Sequence, residues 1–155
     1  PIIEFTAKEC NANYVSQRWL GGMLTNWSTM TLCIDKLKGI EKQEEDGTLA
    51  QLPKKEQVLI QKRKVKLEKF FGGLKNMKTI PDIVVLVGQP KELNAVKECN
   101  KLGIRTITLL DTNCDPSLAD LVIPANDDSI RSVELILNEL KEAILKGQSG
   151  LSKSA

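Results

Sequence analysis

The sequence predicts an α/β protein with a parallel, doubly wound sheet and an inserted antiparallel hairpin of two α-helices. Two observations predict this fold class. After residue 79, apolar strand-like runs alternate with helical patterns, which is the order expected of a parallel sheet covered by helices. Between residues 24 and 78, apolar residues instead recur three and four positions apart over two successive segments, which is typical of paired helices.

The chain begins with a short helical pattern at residues 5–10 and a predicted strand at residues 14–16. The loop that follows, residues 18–26, sets Arg18 beside Trp19 and continues through paired glycines to Asn26. An arginine next to a tryptophan offers a charge, a fork of donors and a stacking plane, which suit phosphates and unpaired bases. The structural alternative buries Trp19 in a core and turns Arg18 outward. We expect Trp19 to be buried and Arg18 to contact phosphate.

The segment after residue 24 predicts the first helix of the hairpin from the spacing of its apolar residues, Met30, Cys33, Leu37 and Ile40. Thr25 or Asn26 is the expected N-cap, and Gly47 follows the predicted end of the helix. A second helix is predicted to begin near Lys54, with an apolar seam of Ile60, Leu67, Phe70, Leu74 and Met77. The short connection predicts that the two helices pack antiparallel as a coiled coil.

Charge is distributed unevenly along a chain whose formal net charge is only +2. Residues 35–78 carry 12 Lys or Arg against 7 Asp or Glu, whereas residues 79–155 carry 8 against 11. A basic run on a helix is often only a solvated face. Repulsion within this run nevertheless favours RNA phosphate as a partner. The predicted RNA contacts on the second helix are Lys62, Arg63, Lys64, Lys66 and Lys69.

The last block predicts the sheet itself, of the flavodoxin or Rossmann kind. Strands are expected at residues 83–87, 106–110 and 121–123, with the first covered on both faces because it is apolar throughout. Helices are expected at residues 92–102, ended by Gly103, and after a cap at Asn126 or Asp127. Residues 1–23 and 79–147 would then form the α/β domain, residues 24–78 the inserted hairpin, and residues 148–155 a flexible tail.

Several chemistries are disfavoured by composition. The chain has no histidine, and its four cysteines are scattered without a C-x-x-C pair, which argues against Cys/His zinc sites and imidazole-assisted nucleophiles. Gly88 stands alone and Pro90 lacks an N–H, so no phosphate-binding glycine loop is present. Four carboxylates are predicted near the ends of strands, where they could bind magnesium: Asp111, Asp115, Asp127 and Asp128. Roles in turns and helix caps are favoured for them. No cofactor, metal, catalytic residue, small-molecule substrate or membrane partner is therefore expected.

Three long runs, at residues 18–26, 111–116 and 123–131, carry a resemblance to a known family. With residues 71–74 and 80–82 between them, they resemble the S-two family of bacterial-type small-subunit ribosomal proteins. The resemblance covers residues 10–146. The amino-acid sequence near residues 27–29, 118–120 and 136–138 is similar to that of plastid members. Family members usually begin well before Pro1, so the chain is expected to lack the family's N-terminal third.

The resemblance implies a structural, non-catalytic constituent of the small ribosomal subunit in translation. Its expected partners are small-subunit rRNA and neighbouring small-subunit ribosomal proteins, with the hairpin projecting from the α/β domain. The expected location is the plastid stroma, with a bacterial cytoplasm or a mitochondrion as alternatives. Two other functions stay open from the residues alone: a nucleotide-dependent α/β enzyme, favoured by the sheet, and a free RNA-binding regulator that uses the same hairpin.

Overall fold

A computed structural model describes residues 1–151 of the chain, with only the backbone of Leu151. Five α-helices and three β-strands are found there. The helices are α1 Ile2–Glu9, α2 Trp27–Glu45, α3 Lys54–Phe71, α4 Leu93–Leu102 and α5 Ile130–Leu151. The strands are β1 Ile83–Leu86, β2 Arg105–Leu110 and β3 Leu121–Pro124, and 3-10 turns span Thr48–Gln51, Gly72–Leu74 and Pro116–Leu118.

The three strands form one parallel sheet in the order β1-β2-β3. Val84 of β1 lies opposite Thr106 of β2, and Ile107 of β2 lies opposite Leu121 of β3. Helix α4 makes the crossover between β1 and β2, as a parallel pair requires. The second crossover contains no α-helix and runs through the turn Pro116–Leu118. The predicted mixed α/β class with a parallel sheet is thus confirmed.

Helices pack against both faces of this sheet. Side chains alternate along a strand, so Val84 and Leu86 share one face, and both pack against residues of α4 or its flanks. Leu109 lies on the opposite face, where it is fully buried and packs with Val133 and Leu137 of α5. Helix α1 joins that second layer through Ile2 and Ile3. No described helix is long and apolar enough to cross a membrane.

Helices α2 and α3 run antiparallel and contact each other. The ion pairs show the antiparallel direction. Glu44, near the end of α2, pairs with Lys64, whereas Glu41, one turn earlier on α2, pairs with Lys75 beyond the end of α3. A cluster of buried side chains joins the two helices to the loop before α2: Met23, Ile34, Leu37, Phe71 and Leu74. Leu67 and Phe70 are half-buried and pack against this cluster. The apolar seam therefore lies where the hairpin meets the rest of the protein.

Three local predictions are wrong. Residues 14–16 form no strand, because within residues 1–151 the only backbone hydrogen bond of Tyr14 goes to the carbonyl of Gly73 in a turn. Strand β1 is not covered on both faces, since Ile83 is 54% and Val85 is 39% exposed. Residues 148–151 continue α5 instead of forming a tail, and residues 152–155 lie outside the described part.

Candidate nucleic-acid interface

The basic residues of α3 divide into two groups in the structure. Lys62, Lys66 and Lys69 are exposed and recur at i, i+4 and i+7, so they share one face of the helix. Arg63 is also exposed, but it lies about 100° around the helix from Lys62. We call Lys62, Arg63, Lys66 and Lys69 the basic surface of α3. No member of it makes a salt bridge within residues 1–151, so its positive charge is not offset locally.

Lys64 does not belong to this surface. Its side chain is half-buried and forms an ion pair with Glu44 across the α2–α3 contact. The hydrogen bond with Glu44 raises the pKa of Lys64, and burial opposes this only in part. The ammonium is therefore charged and already has a partner. Its placement among the RNA contacts is not supported by this geometry, which gives Lys64 a role in joining the two helices.

The loop of residues 18–26 is attached to the α/β layers by one carboxylate, Glu98 of α4. One oxygen of Glu98 accepts hydrogen bonds from Trp19 Nε1 at 3.1 Å and from the backbone N–H of Gly22 at 2.7 Å. Its other oxygen accepts from the N–H groups of Leu24 and Thr25, both at 2.9 Å, and from Thr25 Oγ1 at 3.1 Å. Five donors thus converge on a side chain that is 8% exposed.

The electrostatics of Glu98 follow from this arrangement. Burial raises the pKa of its carboxyl group, but the hydrogen bonds from Thr25, Leu24, Trp19 and Gly22 together outweigh burial and the pKa is lowered overall. The ionised form is the one that accepts all five bonds. Sequence reasoning missed Glu98, which by itself resembles any polar position on a helix. Its helix neighbours Ala95 and Cys99 are apolar and buried, which indicates a buried position for Glu98 but not which groups the carboxylate bonds.

The predicted loop contacts point in different directions. Trp19 is half-buried and packs against three apolar clusters. Arg18 and Asn26 are exposed. Asn26 is the N-cap residue of α2, as predicted, but its side-chain oxygen accepts from Thr29 Oγ1 at 2.8 Å rather than from a backbone N–H. The loop therefore presents Arg18 and Asn26 to solvent, while the Trp19 ring supports it from inside.

We expect Trp19→Ala to destabilise the fold more than it weakens RNA binding. Removing the ring leaves the three clusters incompletely packed and one bond to Glu98 unmade, which should cost about 1–3 kcal/mol because Trp19 is only half-buried. Melting temperature and RNA affinity are measured on the same sample. A normal melting temperature with weakened RNA affinity would show instead that Trp19 stacks on a base.

Three of the four carboxylates considered for magnesium do lie together. Ligand oxygens of Asp111, Asp127 and Asp128 are within 4.8 Å of one another, whereas Asp115 instead accepts bonds from Ser117 as the cap of a turn. Asp111 accepts from the N–H of Thr112 at 2.6 Å, as a turn residue does. Lys91 Nζ is 3.8 Å from Asp128 and offsets part of the charge. These contacts favour the structural interpretation of the group.

Comparison with known proteins identifies the family. Residues 1–147 match the family model described as ribosomal protein S2. The chain belongs to the ribosomal protein S2 family. It is 55% identical over 152 residues to the small ribosomal subunit protein uS2c of Oltmannsiellopsis viridis, an alignment that covers 98% of this chain and 64% of that protein.

Two further relatives agree with this assignment. The small ribosomal subunit protein uS2c of Mesostigma viride is 56% identical over 147 residues, which are 95% of this chain and 64% of that protein. The small ribosomal subunit protein uS2 of Rippkaea orientalis is 53% identical over 149 residues, or 96% of this chain and 56% of that protein. The chain thus spans between about half and two thirds of the length of these curated relatives.

Proposed function

We propose that this chain is a structural, non-catalytic constituent of the small ribosomal subunit that binds rRNA and neighbouring ribosomal proteins. The observation that carries the proposal is the match of residues 1–147 to ribosomal protein S2, with relatives named as small ribosomal subunit proteins. The exposed basic surface of α3 adds a physical reason, since lysine and arginine contact RNA phosphate without reading base sequence.

The proposed RNA contacts are Arg18, Asn26 and the basic surface of α3, all of them exposed. Trp19 and Lys64, also predicted as contacts, would act indirectly: Trp19 supports the loop, and Lys64 joins α3 to α2 through Glu44. We further infer that residues 24–78 form a coiled-coil hairpin inserted into the α/β domain of residues 1–23 and 79–147. The packing of α2 on α3 supports this division.

Sedimentation of the native protein tests the proposed function. A tagged copy of the chain, expressed in the cell of origin, should migrate with small subunits through a sucrose gradient and stay there after a moderate salt wash. Recovery only at the top of the gradient, with the folded protein still binding RNA, would favour the free regulator. Turnover of ATP, GTP or NAD by the purified chain would favour the enzyme.

We propose the plastid stroma as the location. Two relatives carry the plastid designation uS2c, at 55% and 56% identity. A relative from Rippkaea orientalis is 53% identical. Because this identity is nearly as high as that of the uS2c relatives, a bacterial cytoplasm is the alternative location. Fractionation of the source cell, with the protein followed by immunoblot, distinguishes them: enrichment with stromal ribosomes is expected for a plastid protein.

Removing charge from the basic surface should make RNA binding less dependent on salt. In the double variant Lys62→Gln/Lys66→Gln, the log–log slope of affinity against salt should become shallower by about 0.7–0.9 for each phosphate that the variant no longer neutralises. A matched control is Lys97→Gln/Lys101→Gln, since these exposed lysines are likewise four residues apart on a helix. The control should keep the parent slope. Equal changes in both variants would mean that general charge, not this surface, binds RNA.

A further inference from the structure

A cleft of about 470 Å³ lies beside the basic surface, between α3 and the chain that precedes Arg18. One wall is formed by Tyr14, Ser16 and Gln17, and the other by Val65, Lys69 and Phe70. Clefts of roughly 300–1,000 Å³ are the size that small organic ligands occupy. The cleft is therefore large enough for a base with its sugar.

The cleft is held in shape at one end by a close backbone approach. The N–H of Tyr14 donates to the carbonyl of Gly73 at 3.1 Å. A Cβ atom at position 73 would lie 2.2 Å from the carbonyl oxygen of Tyr14, so only glycine permits this contact. Tyr14 Oη also donates to Glu4 at 3.0 Å, which fixes the ring. The Tyr14 wall is thus positioned before any ligand arrives.

Charge in the cleft is balanced except at one residue. The other charged side chains that line it each have a partner of opposite sign within the protein: Glu4 with Lys8, Lys64 with Glu44, and Glu68 with Lys75. Lys69 makes no salt bridge in the described part of the chain, and its ammonium lies 5.8 Å from the centre of the Phe70 ring. A ligand would meet one uncompensated cation beside aromatic carbon.

The chain along the first wall also offers unused backbone groups. Residues 15–17 belong to no helix or strand. Among residues 1–151, no partner exists for the backbone N–H groups of these three residues. Backbone donors and acceptors on an irregular segment can pair with the polar edge of a nucleobase, as they do with single-stranded RNA.

We propose that this cleft receives one unpaired nucleotide of single-stranded RNA. The base would enter between the Tyr14 and Phe70 walls and bond to the backbone of residues 15–17, while its phosphate would contact Lys69. RNA fits better than a peptide strand because the cleft continues into the basic surface, where Lys62 and Lys66 can hold adjacent phosphates. This inference rests on the proposed RNA-binding function and assigns it a place and a ligand class.

The experiment compares two RNA probes on the full 155-residue chain. Affinity is measured by fluorescence anisotropy for labelled hexauridylate and for a blunt RNA duplex. Ser16→Leu narrows the cleft at an exposed position without changing charge, and Lys69→Ala removes its unpaired cation. Each variant should bind hexauridylate about tenfold more weakly than the parent. Lys66→Ala, on the same helix but outside the cleft, is the matched control for Lys69→Ala.

The pattern across the two probes decides the proposal. Ser16→Leu should leave duplex affinity unchanged, and Lys66→Ala should weaken both probes by the same modest factor. If Ser16→Leu and Lys69→Ala bind hexauridylate as the parent does while Lys66→Ala weakens duplex binding, the cleft proposal is overturned and RNA binding by the basic surface stands. Failure of the parent to bind either probe overturns both. Melting curves confirm that each variant is folded.

Discussion

Leu37→Ala is expected to lower the free energy of unfolding by about 2–5 kcal/mol. Leu37 is completely buried in the cluster where α2 meets α3. Its partners in that cluster, Ile34 and Phe71, come from both helices, so truncation leaves a cavity that neither helix can close alone. Unfolding in urea, followed by circular dichroism, measures the loss.

Leu32→Ala is the matched control for this change. Leu32 is on the same helix, but its side chain is 60% exposed. The same truncation there should alter the free energy of unfolding by no more than about 0.5 kcal/mol. Comparable losses in the two variants would mean that Leu37 does not pack between the helices, and the assignment of the seam would have to be abandoned.

The elements were predictable from the sequence where local patterns determine them. Helix α4 ends at Leu102 as expected, because Gly103 follows with a left-handed φ of +67° that other residues avoid. The spacing of Leu37 and Ile40 located the buried side of α2, and both are buried. Such signals depend only on neighbours along the chain, so one sequence contains them in full.

Burial of β1 could not be predicted in the same way. An apolar run predicts a strand, but which of its faces is covered depends on what packs there. In the structure Leu86 faces α4 and is buried, whereas Ile83 and Val85 stay partly exposed. The prediction of a strand at residues 14–16 was wrong for a related reason. A strand requires a neighbouring strand, and in the described part of the chain the backbone of Tyr14 bonds only to the carbonyl of Gly73.

The position of Lys64 on α3 could have been predicted from helix geometry. Lys64 follows Ile60 by four residues and precedes Phe71 by seven, which places all three on one side of α3. That side faces α2, where Lys64 meets Glu44. The RNA-contact assignments remain predictions for the other residues, because exposure and charge show only that a surface is available.

Glu98→Ala is expected to cost about 3–5 kcal/mol of folding free energy. The change leaves the donors of Trp19, Gly22, Leu24 and Thr25 without their acceptor, and each buried donor left unpaired costs about 1–3 kcal/mol, less where water can enter. Glu98→Gln keeps one accepting oxygen but turns an amide toward the remaining donors, so roughly half of that loss is expected.

A matched substitution tests whether this effect is specific. Glu139→Ala removes an exposed glutamate from α5 and should change the free energy of unfolding by less than about 0.5 kcal/mol. If Glu98→Ala were equally harmless, the loop of residues 18–26 would not depend on this carboxylate. No pattern along the chain could have revealed the dependence, since the bonded residues are separated by 73 to 79 positions.

The stabilisation by Glu98 should also depend on pH, with a sign fixed by its lowered pKa. Burial raises that pKa, but the converging hydrogen bonds lower it by more, so the folded value is below the ordinary 4.5. The folded state therefore favours the ionised form, and the contribution is complete above pH of about 4.5 and lost as pH falls through the folded pKa. The difference in unfolding free energy between the parent and Glu98→Gln should accordingly be constant near neutral pH and shrink on acidification. A difference that grew in acid would show that the protonated carboxyl is the stabilising form, and the account of five donors converging on a carboxylate would be wrong.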